Sequence, residues 1–297
     1  MLLRAGEAEF DLDDTPMIVG IVNATPDSFS DGDAEGVEHA SAKAEELARQ
    51  GADMIEVGGE SNVSNRPSVA AEEEIQRVVP AVEAAAKTGL PVAIDTYKPA
   101  VASAAIAAGA TVVNDISGLA DPAMLEVIAD SGAGAVLMHT ETPPKTVRWE
   151  EDLYPDGVGV HLLRFFERRL DELERAGISS DRVALDPGPD FSKTPRQTVE
   201  ALRALTDLMV LDRPVYLAVS RKDFIGALTH STPSQRSPGT FAAIASGISS
   251  CGRLLRVHDV AATRQFLTIW EALNSGSIDI PPDLRIDEAV RREQGDS

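Results

Sequence analysis

The chain has 297 residues, 43% of them hydrophobic, with 48 acidic against 27 basic side chains and a formal net charge of −21. That apolar share supports a full globular core. The charge excludes a partner such as nucleic acid, whose backbone demands a broad basic face. No apolar run approaches the roughly 18 residues of a membrane span. The single cysteine, Cys251, excludes an internal disulfide and a cysteine-rich metal centre, so a reducing, cytoplasmic location is expected. The opening "MLLRAGEAEFDLDD" turns acidic at once and lacks the apolar segment of a signal peptide.

In chain order, residues 1–16 alternate enough for a short hairpin. Short apolar, β-branched runs follow at 17–22, 54–59, 91–95, 111–115, 135–139, 183–186, 214–220 and 254–259. Each is apolar throughout, as expected for strands covered on both faces. Between them lie helical patterns such as "VEHASAKAEELARQG" and "VGVHLLRFFERRLDELERAG", several ending in a glycine that suits a left-handed cap. Eight strand–helix units are the number that closes a (β/α)8 TIM barrel. A doubly wound open sheet would need a glycine-rich loop after its first strand, and "VNATPDSFS" stands there instead. The expected organisation is an α/β chain with residues 1–16 as a hairpin closing the barrel floor. Residues 17–280 form the barrel and 281–297 a tail.

Barrel enzymes carry their working groups at the carboxyl ends of strands. Here those ends read Asn23, Asp95, Asn114, Asp115, His139 and Asp186, then Ser220-Arg221-Lys222, then Arg256, His258 and Asp259. Some have plain structural explanations: Asp95 and Asp259 as helix caps, Asp115 as a turn residue, His139 as a core histidine, Arg221 as the partner of a surface acid. Two groupings remain. Asp95, Asn114, Asp186 and Lys222 combine carboxylates, an amide and an ammonium, which can read the edge of a flat nitrogen-rich heterocycle. Asn23, Arg256 and His258 come from the first and last strands, neighbours once a barrel closes. They suit an anion with its metal, most simply a phosphate with Mg²⁺.

Eight blocks in order make the chain resemble the dihydropteroate synthase family: "GIVNATPDSFSDG", "VGGES", "IDTYK", "VNDISG", "LMH", "LDPG" with "FSKT", "SRKDFIG" and "RVHDV". The resemblance implies a transferase of folate biosynthesis that joins 6-hydroxymethyl-7,8-dihydropterin diphosphate to p-aminobenzoate and releases pyrophosphate. It implies that Asp95, Asn114, Met138, Asp186 and Lys222 hold the pterin. Asn23, Arg256 and His258 would hold the diphosphate, with Asn23 a ligand of Mg²⁺ and Asp31 joining from the first loop. Phe29, Arg66, Pro67, Phe191 and Ser220 would frame the aminobenzoate. Catalysis would fall to Asp95, Lys222, Arg256, His258 and Asp31, and mobile loops after the first two strands would exclude water. A homodimer is also implied, and the small-residue stretch "GTFAAIASGISS" could pack closely.

The chain departs from the family around the second substrate. The second loop reads "GESNVSNRPSV" where Gly-Glu-Ser-Thr-Arg-Pro-Gly is usual, and the first loop is short. The sixth reads "GPDFSKT" where "GIGFGKT" is typical, and "MHTETPP" replaces a Met-Gln-Gly pattern. These departures leave two alternatives: a homologue that uses a different acceptor, or a pterin-binding protein without synthase activity. Retention of "SRK", "RVHD" and "DSFSD" argues against the second, since a diphosphate site has no purpose there.

Overall fold

The computed structural model describes residues 1–13, 15–24, 34–61, 67–146, 148–150, 152–274, 278 and 280–286. In order these form β1 (Leu2–Ala5), β2 (Ala8–Asp11), β3 (Met17–Asn23), α1 (Ala34–Arg49), β4 (Met54–Gly58), α2 (Ala71–Ala86) and β5 (Val92–Asp95). Then come α3 (Pro99–Ala107), β6 (Val112–Asp115), α4 (Pro122–Ser131), β7 (Gly134–Met138), α5 (Val158–Arg175), β8 (Val183–Asp186) and α6 (Pro195–Arg203). The last described elements are β9 (Val215–Leu217), α7 (Asp223–Thr229), α8 (Ser237–Ile248), β10 (Gly252–Val257) and α9 (Val260–Asn274).

β3 through β10 close into a parallel barrel, with β10 pairing β3 through Leu254↔Met17 to Val257↔Gly20. The eight expected strands are all present. The last begins two residues earlier than its apolar run and stops before His258, and β9 is only three residues long. Helix ends follow local chemistry. Asp121 caps α4 by accepting the Ala123 N–H at 2.9 Å, and Gly132 ends it at φ 74°. Thr194 and Gln197 form a capping box at α6 with Pro195 behind the cap. Among the described residues, no helix is long and apolar enough to cross a membrane.

Strand alternation divides the core in two. Ile18, Ile55, Val57, Ile94, Val113, Leu137, Leu185, Leu217 and Leu255 pack outward against the helices. Val19, Met54, Ala93, Val112, Val136, Ala184, Tyr216 and Leu254 fill the barrel, joined from below by Leu3, Ala5 and Leu12. The antiparallel β1–β2 hairpin therefore plugs the floor. Its Gly6 N–H donates to the Gly132 carbonyl at 2.9 Å, just before β7. Parity then decides what happens at the top. Residues two or four beyond the inner apolar layer point into the mouth, and the intervening ones point at helices.

Candidate active site

That parity puts Glu56, Asp95, Asn114, Met138, Asp186 and Arg256 on the inner faces of β4 to β8 and β10. Glu56 is fully buried, and Asp95, Asn114 and Asp186 are nearly so. Arg256 donates through Nε to Glu56 and through Nη2 to Asp95 at 3.0 Å. Asn114 Nδ2 donates to Glu56 Oε2 at 2.9 Å, and the Tyr216 hydroxyl donates to the same oxygen at 2.5 Å. Burial works against the Arg256 charge, but Glu56 and Asp95 more than offset it and hold the guanidinium above its ordinary range. The two groupings read from the sequence are therefore not separate. Arg256, assigned to the anion, is already bonded to Asp95, assigned to the ring.

Asn114 supplies the most informative atom of the site. Its Oδ1 is buried and, among the described residues, nothing donates to it. A buried acceptor without a donor costs about 1–3 kcal/mol, so this oxygen is poised for an incoming N–H. Asp186 lies opposite Met138 in register and accepts the Gly188 N–H at 2.8 Å. Burial raises its pKa to about 6, against that bond and the pull of Lys222. Gly188 (φ 62°) has no room for a side chain, because a Cβ would stand 2.2 Å from the His139 carbonyl oxygen. The Lys222 ammonium sits 4.4 Å from the centre of the Phe191 ring. Its half-buried position lowers its pKa despite Asp190 and Asp186.

The sixth loop carries Phe191 between two left-handed residues, Asp190 (φ 68°) and Ser192 (φ 49°). Glycine is the residue for such backbones, and here side-chain bonds offset its absence. The Asp190 carboxylate accepts the backbone N–H groups of Asp223 (2.6 Å) and Phe224 (3.2 Å), capping α7 beside Lys222. Ser192 Oγ bonds Thr142 Oγ1 at 2.6 Å, and the Ser192 carbonyl accepts the Tyr154 hydroxyl at 2.9 Å. The departures "GPDFSKT" and "MHTETPP" thus meet physically.

At the anion end, β3 delivers Asn23 at an exposed position beside β10. Ser220 Oγ accepts the His258 N–H (3.3 Å) and sits 3.0 Å from His258 Nδ1. Ser220, expected at the aminobenzoate wall, thus also fixes the imidazole of His258. His258 lies at the exposed rim. Partial burial first, then Arg256, Arg221 and Lys222, lower its pKa, so the ring is neutral at pH 7.

The pterin binding enzyme family model matches residues 19–258. A dihydropteroate synthase of Neisseria meningitidis serogroup C is 39% identical over 276 residues, covering 91% of this chain and 96% of that protein. That of Escherichia coli (strain K12) is 36% identical over 263 residues, 86% of this chain and 91% of that protein. The Xanthomonas albilineans dihydropteroate synthase structure with 4-aminobenzoic acid is 41% identical at a TM-score of 0.83, covering 92% of this chain and 98% of that one. The chain belongs to the dihydropteroate synthase family.

As a family member its other strand-end residues sort readily. Asp115 points outward and accepts the Ser117 N–H (2.7 Å) and hydroxyl (2.9 Å), with burial raising its pKa to about 6. Asp259 caps α9 by accepting the Ala262 N–H at 3.0 Å. Lys98, and not Asp95, holds the capping position of α3. Arg221 (φ 57°) contributes backbone bonds to Thr240 and Arg236.

His139 is a satisfied core histidine. Its Nδ1 is 2.8 Å from the buried Lys193 Nζ and its Nε2 is 3.0 Å from His161 Nδ1. With Glu141 these histidines form the described group whose spacing could suit a metal. Lys193 argues otherwise. Its Nζ also faces the carbonyls of His139, Gly188 and Phe191, and a charged lysine only donates. With Lys193 protonated, His139 Nδ1 accepts and Nε2 carries the proton, and the cluster is a hydrogen-bonded chain. Burial lowers the Lys193 pKa to about 7.

The second loop is pinned at both ends by Glu60. This carboxylate pairs with Lys98 and with Lys145 (2.9 Å) and accepts the Val69 N–H (3.2 Å), while Lys145 also donates to the Ser61 carbonyl. Tyr97 bridges Glu60 to Ser68. Pro67 is exposed beside this anchor. Asp31, Phe29 and Arg66 lie outside the described residues. Glu56, Tyr216 and Lys193 were not singled out from the sequence, and Asp190 stood out only as a departure in the sixth loop. A glutamate inside the apolar run "MIEVGG", at the same inward parity as Asp95, was the available signal for Glu56.

Proposed function

We infer that this chain is a dihydropteroate synthase, a transferase of folate biosynthesis joining 6-hydroxymethyl-7,8-dihydropterin diphosphate to p-aminobenzoate. The observation that carries this inference is the buried ring of Asp95, Asn114 and Asp186, whose Asn114 Oδ1 awaits a donor among otherwise bonded neighbours. Two carboxyl groups and an amide oxygen match the N–H-rich edge of a pterin, and Lys222 can donate to a ring acceptor. Met138 gives this pocket an apolar wall.

Three carboxyl groups, Glu56, Asp95 and Asp186, face two cations, Arg256 and Lys222, at this end of the cavity. The balance favours a ring that becomes positive as the methylene carbon–oxygen bond breaks, its electron pair leaving with the diphosphate. Arg256 and His258 stand where that leaving charge develops. The aminobenzoate nitrogen lone pair then forms the new bond and releases a proton, with Phe191 and Pro67 walling its ring. Arg66 and Phe29 complete the acceptor site, and Asp31 joins the diphosphate.

Magnesium fits the anion end. Asn23 would hold it through a hard amide oxygen, with the Asp31 carboxylate joining from the first loop. When bound it would neutralise part of the leaving charge.

A homodimer and a cytoplasmic location complete the reading. Exposed Ile269 and Leu273 on α9 lie near the stacked Phe241 and Phe266, an apolar face suited to a second copy. The lone, buried Cys251 suits a reducing compartment.

The decisive experiment follows pyrophosphate release from the pterin diphosphate with p-aminobenzoate. Turnover with acceptor-dependent release is expected. Binding of the diphosphate without turnover would instead favour a different acceptor. Arg66→Ala should raise the aminobenzoate KM about tenfold or more, as expected for loss of a charged partner, with pterin binding unchanged.

A further inference from the structure

Glu56 has no role yet beyond its bonds, and those bonds are unusual in their number and direction. It is fully buried in mid-barrel, and three donors converge on it: Arg256 Nε on one oxygen, Asn114 Nδ2 and the Tyr216 hydroxyl on the other. Two of these donors belong to residues that face the ring cavity.

A carboxylate can only accept, so whichever end of the Asn114 amide faces Glu56 must be nitrogen. The oxygen is thereby forced to the other side, where it is buried and has no donor among the described residues. An amide is nearly symmetric in shape, so packing alone would not select this orientation. Burial, then the Glu56 charge, push the Tyr216 phenol well above its ordinary range, so it remains a donor to the same oxygen. Tyr216 therefore locks the carboxylate that orients the amide.

We propose that Glu56 is a positioning residue of the ring pocket: it selects the acceptor end of Asn114 for the cavity and holds Arg256 at the rim. It touches neither substrate. The ligand class is a heterocycle that offers an N–H donor to Asn114, and this rests on the pterin reading above.

Glu56→Gln keeps the shape and inverts the logic. The glutamine oxygen stays with charged Arg256, its amino group faces Asn114, and the Asn114 amide turns over to present a donor to the cavity. Binding of 6-hydroxymethylpterin, which lacks the diphosphate, isolates the ring. Glu56→Gln should weaken it about tenfold or more, the cost of facing a donor with a donor. Asn114→Ala should weaken it comparably, and the double variant no further than about threefold beyond Asn114→Ala. Wild-type affinity in Glu56→Gln, or fully additive losses, would overturn the proposal.

A second measurement needs no ligand and no variant of Glu56. The sequence has five asparagines, Asn23, Asn62, Asn65, Asn114 and Asn274, so selective ¹⁵N labelling gives a simple side-chain amide spectrum. The Asn114 signal, identified by its loss in Asn114→Ala, should be protected from solvent exchange. Exchange as fast as that of exposed Asn23 would overturn the proposal even if Glu56→Gln fails to fold. Failure of the wild type to bind pterin, with Asn114 still protected, would sink the pterin reading and leave the orienting role standing.

Discussion

Within the barrel strands Glu56, Asp95, Asn114, Tyr216 and Arg256 bond one another, whereas across the cavity Asp190, Phe191 and Ser192 are held by side chains from neighbouring loops. The first region is built on backbone that the barrel has already fixed. The second has traded glycines for strained residues with compensating bonds, and its positions depend on three loops agreeing. A pocket for an unchanging heterocycle can sit on strands. The acceptor wall has drifted because loops tolerate change.

The barrel network depends most on Arg256. Arg256→Ala leaves Glu56 and Asp95 buried without their cation, which should cost about 3 kcal/mol or more of stability in urea unfolding. A loss below about 1 kcal/mol would mean the ring end is not the integrated network described here.

The pH dependence of binding should differ in sign between the two ligand parts. Asp186, with its pKa raised to about 6, is protonated below that pH in the free protein. If the ring needs the carboxylate, affinity for the pterin alcohol falls below pH 6 by up to about tenfold per pH unit. Asp186→Asn should remove this slope. His258, lowered to about 4, is neutral until well below pH 6, and a bound diphosphate raises its pKa. Diphosphate binding therefore takes up a proton and tightens as pH falls from 7 towards 4. His258→Ala should abolish that part of the gain, leaving only the phosphate's own titration. Calorimetry across pH 4–8 reads both slopes, and parallel slopes would contradict the assignment of Asp186 to the ring and His258 to the diphosphate.

The smallest effects belong to the sixth loop. Ser192→Gly relieves a left-handed backbone worth about 1 kcal/mol and loses a hydrogen bond of about the same size. Its stability should stay within about 1 kcal/mol of wild type. Asp190→Ala keeps the strain and loses the α7 cap, costing about 1–2 kcal/mol. Both should raise the aminobenzoate KM a few-fold while leaving pterin binding unchanged. Equal effects on both substrates would show that loop and barrel do not act separately.

Much of this was legible from residues alone, for physical reasons. Eight apolar runs spaced by amphipathic helices can bury both faces only by closing a parallel barrel, and the motif blocks place Asn23, Asp95, Asn114, Asp186, Lys222, Arg256 and His258 at its mouth. Period-two alternation also separates inward Asp95 from outward Asp115 once the strand is accepted.

The partners were decided by tertiary structure. Glu56 and Arg256 are 200 residues apart in the chain, yet β4 and β10 flank β3, so a carboxylate within one apolar run meets the cation of another. Ser220 turned out to fix His258, and Asp190 to cap the helix after Lys222, because loops from adjacent strands end side by side. Local sequence set which residues face the mouth. Only closure of the barrel determined which of them hold each other and, among the described residues, that the Asn114 amide oxygen is left for a ligand.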